Sequence, residues 1–209
     1  MEIFIEKPAT LSSFSHRDLV FGVGVNDSSY ITGYKSKSGK WYQCPFYRRW
    51  KGMLERSCSE KYKENNPSYE NCSVCSEWLI FSNFRAWMVI QSWEGKDLDK
   101  DILGGGRKEY SPEFCIFIPQ ALNKLLTDHA RFRGVYPQGV YFDKQAGKFK
   151  AQCNVNGKLK NLGRFLTVSE AEATYKAFKS DLIRKTAEDY KLEERIYRGL
   201  ILASERMTA

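Results

Sequence analysis

Polar and apolar residues alternate most strictly between residues 148 and 155. The polar positions hold two lysines and two amides, and the positions between them hold Phe, Ala, Cys and Val. A period of two predicts a strand with one buried and one exposed face. Asn156-Gly157 then gives a strong hairpin signal, which makes Lys158–Phe165 the returning strand. An earlier turn at Gln145-Ala146-Gly147 makes Gly139–Lys144 the first of three strands.

A helical period follows these strands. Thr167-Val168-Ser169-Glu170 has the pattern of a capping box. The apolar stripe of the following helix, spaced by four, three and four residues, is Ala171, Tyr175, Phe178 and Leu182. The pattern therefore predicts three antiparallel strands covered on one face by a helix. The uncovered face would carry the lysines and amides, which suit phosphates and base edges.

The N-terminal half of the chain has a different pattern. Apolar residues at helical spacing predict helices over Phe46–Cys58 and Glu77–Gln91. Three tryptophans in these stretches are expected to form a core. Ser38-Gly39 predicts a small hairpin over Tyr34–Tyr42, with a second basic edge. The fold class expected for the whole chain is α+β.

Between these halves, carboxylates and an amide occupy positions suited to a hard cation. The expected order is a strand over Asp97–Leu103, a glycine loop, a strand over Phe114–Ile118 and a helix over Pro119–Leu126. That order can bring Asp99 and Asn123 together. Carboxylate and amide oxygens suit Mg²⁺ or Mn²⁺ with several waters retained. The alternative is a solvated acidic turn next to a helix amide that faces water.

Composition and charge narrow the class of molecule that the protein is expected to bind. The 209 residues carry a net charge of +8, and 14% of them are aromatic. A basic chain with that many aromatic residues is expected to have a core and to bind a polyanion. No run of eighteen apolar residues and no signal peptide is present. We therefore expect no membrane partner and a cytoplasmic location.

Six cysteines in a chain without an export signal favour reduced thiols or metal ligands over disulfides. Cys72 and Cys75 have the spacing of zinc ligands, and Cys44 and Cys58 could complete four thiolates. The spacing of the second pair is irregular. Small buried thiols beside Trp78 are the alternative to a structural Zn²⁺ site.

The C-terminal unit resembles an AP2/ERF-type DNA-binding domain. The residues that carry the resemblance are Gly139-Val140, Gly147-Lys148-Phe149-Lys150-Ala151, Leu162-Gly163-Arg164-Phe165 and Ser169-Glu170-Ala171-Glu172-Ala173-Thr174-Tyr175. In that family the exposed sheet face lies in the DNA major groove. The resemblance implies phosphate contacts from Lys148 and Lys150. The positions that it implies near base edges are Tyr141, Asp143, Gln152, Asn154 and Asn161. Plant members carry arginines and tryptophans at several of these positions, so their base preference does not transfer.

The segment from Trp50 to Asn123 resembles the H-N-H group of homing-type endonucleases of phage genomes, several of which carry AP2 modules. The residues that carry this resemblance are Trp50, Met53, Arg56, Cys58, Tyr69, Val74, Glu77-Trp78, Phe81, Phe84, Trp87, Leu98-Asp99-Lys100-Asp101, Tyr110-Ser111-Pro112-Glu113, Cys115 and Asn123. The resemblance implies a ββα-metal motif in which Asp99 and Asn123 bind the metal. Lys100 stands where the family has its general-base histidine, and Phe114 stands where it has a central asparagine. Lys100 would act as a base if desolvation lowered its pKa, or would otherwise hold a phosphate.

Two functions follow from these resemblances. The first is a divalent-metal-dependent DNA endonuclease with catalytic residues Asp99, Lys100, Asp101 and Asn123, in which Asp101 could orient water. The second is a non-catalytic DNA-binding regulator built on a decayed nuclease. Double-stranded DNA is the expected partner of both, and the host cytoplasm is the expected location if the chain is phage-encoded. RNA binding is less favoured, because no stacking motif on a four-stranded sheet is apparent.

The domains expected from these patterns are a nuclease-like domain over residues 1–128, a basic linker over 129–138, the AP2-like domain over 139–185 and a helical extension over 186–209. The extension could pack back on the protein or pair with a second copy. With one active site per chain, a monomer would nick one strand, and cutting both strands would need a homodimer or two cutting events. His129 in the linker could come near the metal site, although a lone histidine is more often exposed.

Overall fold

A computed structural model describes residues 4–127 and 134–208, which form an α+β chain of two units, Met1–Phe117 and Ile118–Ala209. The predicted linker residues 129–133, with His129, Arg131 and Arg133, lie outside the described residues. No helix in the described ranges is both long and apolar enough to cross a membrane.

The first unit combines short helices with short strands. Its helices are α1 (Leu11–Ser15), α2 (Pro45–Cys58), α3 (Glu60–Asn65), α4 (Phe81–Val89) and α5 (Asp101–Gly104). Its strands are β1 (Gly33–Lys35), β2 (Trp41–Gln43), β3 (Ser73–Val74), β4 (Lys96–Asp99), β5 (Glu109–Tyr110) and β6 (Ile116–Pro119), the last crossing the division between the units. They pair as β1 with β2, β3 with β5 and β4 with β6. The predicted hairpin over Tyr34–Tyr42 and the helix over Phe46–Cys58 are confirmed.

An aromatic core holds this unit together. Trp50 and Trp78 are 0% and 1% exposed, and the Trp50 indole N–H donates to the Trp78 carbonyl oxygen at 2.7 Å. The predicted tryptophan core is thus confirmed, with Trp87 half-buried at its edge. A buried indole that finds a carbonyl partner avoids the penalty of an unpaired donor.

The predicted helix over Glu77–Gln91 is shorter than expected, because its first part is a separate 3₁₀ turn over Ser76–Leu79. Ile80 is extended and forms a bridge with Val25, whose amide donates to the Leu79 carbonyl oxygen at 2.8 Å. This tertiary contact uses the backbone groups that would otherwise continue the helix.

The second unit begins with α6 (Gln120–Leu126) and continues with β7 (Val140–Asp143), β8 (Lys148–Val155) and β9 (Lys158–Phe165). The three strands form one antiparallel sheet in that order, as the alternation predicted. Helix α7 (Val168–Glu188) begins with the predicted capping box, in which Thr167 and Glu170 bond each other's backbone amides. It covers one face of the sheet over a core that includes Ala151, Cys153 and Tyr175.

The C-terminal segment packs back on the protein. Helix α8 (Glu194–Arg206) lies against α7, and the Ser180 hydroxyl donates to the Ser204 carbonyl oxygen at 2.8 Å. Its apolar side is buried at Ile196 and Leu200. Of the two arrangements expected for this extension, the structure has the intramolecular one.

Candidate nucleic-acid interface

The two faces of the second unit's sheet differ sharply in burial. On β8, Ala151 and Cys153 are 0% and 2% exposed under α7, whereas the alternating residues Lys148, Lys150, Gln152 and Asn154 are partly or fully exposed. Lys150 is paired with Tyr141 on β7, and Gln152 is paired with Asn161 on β9. Residues paired across neighbouring strands share a face. The side that α7 leaves uncovered is hereafter the outer face.

All seven side chains predicted to contact DNA belong to the outer face by this register. They are Tyr141, Asp143, Lys148, Lys150, Gln152, Asn154 and Asn161. Sequence reasoning missed an eighth member, Arg164, which is paired with Lys150. The sequence did contain a signal for Arg164. Phe149 and Phe165 lie at the apolar ends of β8 and β9, and pairing them places Arg164 opposite Lys150. A bulge between Ala151 and Gln152 obscures that register.

Asp143 serves the turn and the neighbouring cation. Its Oδ1 accepts the backbone N–H groups of Gln145 and Ala146 at 3.2 and 3.3 Å. Its Oδ2 accepts from Arg164 Nε at 2.8 Å across the middle strand. The hydrogen bond from Arg164 is the largest cause of a lowered Asp143 pKa, with the turn amides adding to it. Asp143 therefore remains a carboxylate and orients Arg164 over the sheet.

Two amides of the outer face also have local structural roles. Asn154 Oδ1 accepts the Gly157 amide at 2.8 Å in the β8–β9 turn. Asn161 Oδ1 accepts the Gly163 amide at 3.3 Å beside the bulge. Such side-chain bonds fix turns. The side chains better placed to meet a ligand are therefore Tyr141, Gln152 and the cations.

The outer face lies on the positively charged part of the second unit. Residues 140–165 include six lysines and arginines and one acidic residue, Asp143, whereas α7 carries four of each sign. Lys150 Nζ lies 5.7 Å from the centre of the Tyr141 ring. Within the described ranges, no carboxylate pairs with Lys148 or Lys150. The net charge is therefore concentrated on the sheet.

The predicted metal residue Asp99 ends β4 and caps the following helix. Its Oδ1 accepts the amides of Asp101 and Ile102 at 3.0 and 2.8 Å. The predicted strand over Asp97–Leu103 is wrong beyond Asp99, because this carboxylate starts α5 instead. Burial raises the Asp99 pKa, and the two amide bonds oppose that rise. Both bonds end on Oδ1, so Oδ2 is the oxygen that a cation would take.

Lys100 is held as an ammonium group. Its side chain is 5% exposed, its Nζ lies 2.5 Å from Asp101 Oδ1, and the ring centres of Tyr69 and Tyr110 are both 5.6 Å away. Burial alone would lower the Lys100 pKa, but the hydrogen bond and charge of Asp101 outweigh it and raise the pKa above its usual value. That direction is opposite to the one a general base requires.

The other residues of the predicted metal motif, Asn123, Phe114 and Asp101, each have their own neighbours. Asn123 lies on α6 in the second unit, and its Oδ1 is 3.4 Å from the Thr127 hydroxyl. The guanidinium group of Arg107 lies 5.0 Å from the ring centre of Phe114. Asp101 is paired with Lys100. Of the two carboxylates in the predicted catalytic set, Asp99 is therefore the one better placed to meet a cation.

The cysteines expected to hold zinc are separate thiols. Cys44, Cys58, Cys72 and Cys75 are all free, and Cys44 Sγ lies 3.4 Å from the Tyr30 hydroxyl. In the part of the chain that the structure describes, no three His, Cys, Asp or Glu side chains form a group that could hold a metal. Burial raises the pKa of the Cys58, Cys72 and Cys75 thiols, which favours the protonated form.

The arrangement with the clearest chemical use is therefore the outer face, an array of cations and hydrogen-bonding groups on three paired strands. The Asp99 turn supplies one carboxylate beside a protonated lysine that is ion-paired with Asp101. Comparisons of the chain with protein-family models, with characterised proteins and with solved structures gave no match.

Proposed function

We propose that this protein binds double-stranded DNA through the outer face of its second unit. The observation that carries the proposal is the division of charge: six basic residues against one acidic residue in the strands and their turns, and a balanced helix behind them. Three of the six, Lys148, Lys150 and Arg164, belong to the outer face. A face with these cations attracts a polyanion. Three strands about 4.8 Å apart span roughly 10 Å, and the major groove of B-DNA is about 12 Å wide.

The side chains divide by chemistry. Lys148, Lys150 and Arg164 contact phosphates, and Tyr141 and Gln152 face base edges. Arg164 reaches the groove as a planar donor whose orientation Asp143 fixes. Phosphate contacts supply affinity, whereas base-edge contacts supply sequence preference.

The proposal predicts that Lys150→Gln weakens duplex binding and Lys160→Gln does not. Both changes remove one charge, but Lys160 lies on the helix side, with its Nζ 4.8 Å from the centre of the Phe178 ring. Loss of one phosphate contact should lower the salt slope by about 0.9 and the affinity about eightfold at 0.1 M salt. Fluorescence anisotropy of a labelled duplex at several salt concentrations measures both. Equal losses in the two variants would show that only net charge matters.

A DNA endonuclease is a second candidate, supported by the order of elements in the chain. Strands β4 and β6 are paired, and α6 follows β6 directly, which is the strand–strand–helix order of a ββα-metal motif. Asp99 would hold Mg²⁺, which would neutralise charge on a scissile phosphate. Because Lys100 stays protonated and is paired with Asp101, it would not serve there as the general base.

For this candidate, Asp99→Asn is the informative change. Asparagine still accepts the amides that start α5, so the local fold is kept while the charge that a dication needs is lost. The wild-type protein should nick supercoiled plasmid with Mg²⁺, and the variant should bind DNA equally but leave the plasmid intact. Gel analysis of plasmid forms gives the result. Equal binding with no nicking by either protein rules out the endonuclease and leaves DNA binding in place.

A further inference from the structure

The β1–β2 hairpin, residues 33–43, has one face packed on the first unit. Tyr34 and Tyr42 are paired across the strands and stack with ring centres 5.7 Å apart. Lys7 Nζ lies 3.8 Å from the centre of the Tyr34 ring, and the centre of the Phe4 ring lies 5.5 Å from it. These contacts hold the hairpin by the face that carries Tyr34 and Tyr42.

Trp41 occupies the opposite face. It is paired with Lys35 and is 58% exposed, whereas Trp50 and Trp78 are buried. A Cβ built on Gly33 would lie only 2.5 Å from Trp41 Cζ2. The six-membered ring of the indole therefore lies directly against the glycine backbone on one side. Since 58% of the residue is exposed, the ring is held against the backbone without being covered.

The surroundings of this indole are positively charged. Lys35 is paired with Trp41 and Lys37 lies in the turn, whereas Lys40 Nζ lies 5.1 Å from the centre of the Tyr42 ring. No acidic residue occurs between Ser28 and Leu54. Hydrogen bonds close the turn: the Ser36 amide donates to the Lys40 carbonyl oxygen at 2.8 Å, and the Ser36 and Ser38 hydroxyls are 2.8 Å apart. A fixed aromatic plane among lysines is complementary to a base and its flanking phosphates.

We propose that the hairpin binds single-stranded nucleic acid, with an unpaired base stacked on Trp41 and the neighbouring phosphates on Lys35 and Lys37. Base–aromatic stacking does not depend on sequence, because every base has a π-face. A paired base in a duplex does not expose that face. This site is separate from the outer face and does not depend on duplex binding there.

A purely structural role for Trp41 makes a different prediction. A large side chain that covers a cross-strand glycine stabilises a hairpin without any ligand. Trp41→Leu retains an apolar cover over Gly33 but lacks a π-face, whereas Trp41→Phe retains both. The two variants therefore separate stacking from packing, and circular dichroism establishes that both remain folded.

The experiment measures anisotropy of labelled oligothymidine and oligouridine of about 12 nucleotides, with a duplex in parallel. Trp41→Leu should weaken binding of both single strands about tenfold and leave duplex affinity unchanged, and Trp41→Phe should retain most of the affinity. Bound oligonucleotide should also protect tryptophan fluorescence from iodide in the wild-type protein. The proposal is overturned if the wild-type protein does not bind single strands, or if folded Trp41→Leu binds them with unchanged affinity. It is also overturned if only one of the two single strands depends on Trp41, if the duplex loses affinity equally, or if bound oligonucleotide leaves tryptophan fluorescence unprotected.

Discussion

Neutralising Lys148, Lys150 and Arg164 together should lower the affinity for duplex DNA about 500-fold at 0.1 M salt, at roughly eightfold for each lost phosphate contact. The change to glutamine keeps side chains of similar length on the strands. It also leaves Asp143 without its partner Arg164, which adds repulsion towards phosphate. Fluorescence anisotropy between about 0.05 and 0.3 M salt should show a salt slope lower by about 2.7.

A matched variant separates the position of the charges from their number. Lys160, Arg184 and Arg198, changed together to glutamine, remove the same total charge from the helix side of the sheet and from exposed positions on α7 and α8. Duplex affinity should fall far less in this variant, because salt screens charges that do not touch the DNA. If both triple variants lose affinity equally, attraction is non-specific and the outer face is not the interface.

The sheet was predictable because its signals are local. The strict alternation of β8 sets both faces, and the Asn156-Gly157 turn has two positive φ angles, 51° and 82°, as the hairpin signal requires. Strands β8 and β9 therefore have their predicted bounds. The exposed positions also agree with the pattern, since burial on a half-covered sheet follows the same period of two.

The Asp99 turn could not be predicted in the same way. Whether Asp99 extends a strand or caps a helix depends on the path of the next three residues. The state of Lys100 depends on Asp101 and on Tyr69 and Tyr110, which lie far from each other in the chain. Spacing alone indicates a carboxylate and a lysine, but the pKa direction comes from burial and from the ion pair.

The exposure of Trp41 illustrates a further limit. Large aromatic side chains are usually mostly buried, which holds for Trp50 and Trp78 but not for Trp41. The position of the Trp41 ring depends on Gly33, because the indole lies over a residue that has no side chain of its own. That contact depends on strand register, which the weak alternation of a three-residue strand does not specify.

Gly139→Ala should be the most destabilising small change in the second unit. Gly139 has a φ of +76°, and a Cβ there would lie 2.1 Å from Cδ2 and 2.3 Å from Cε2 of Tyr175, whose side chain is buried. Overpacking a core costs about 1–3 kcal/mol, and a left-handed backbone costs alanine about 1–2 kcal/mol. We expect a loss of roughly 3–4 kcal/mol of unfolding free energy. The clash would also displace the Gly139 carbonyl oxygen, which accepts the Gln152 amide at 2.8 Å.

Gly147→Ala is the control for this change, because Gly147 has a φ of +60° but no atom within 4 Å of the place that an alanine methyl group would take. It should therefore lose only the backbone cost of about 1–2 kcal/mol. Urea unfolding followed by circular dichroism compares the two variants, and hydrogen exchange at the β8 amides assigns the loss to the sheet. A midpoint for Gly139→Ala as high as that for Gly147→Ala would mean that Tyr175 moves aside at little cost. A larger loss for Gly139→Ala is the expected result and would show that the close Tyr175 contact contributes to the stability of the second unit.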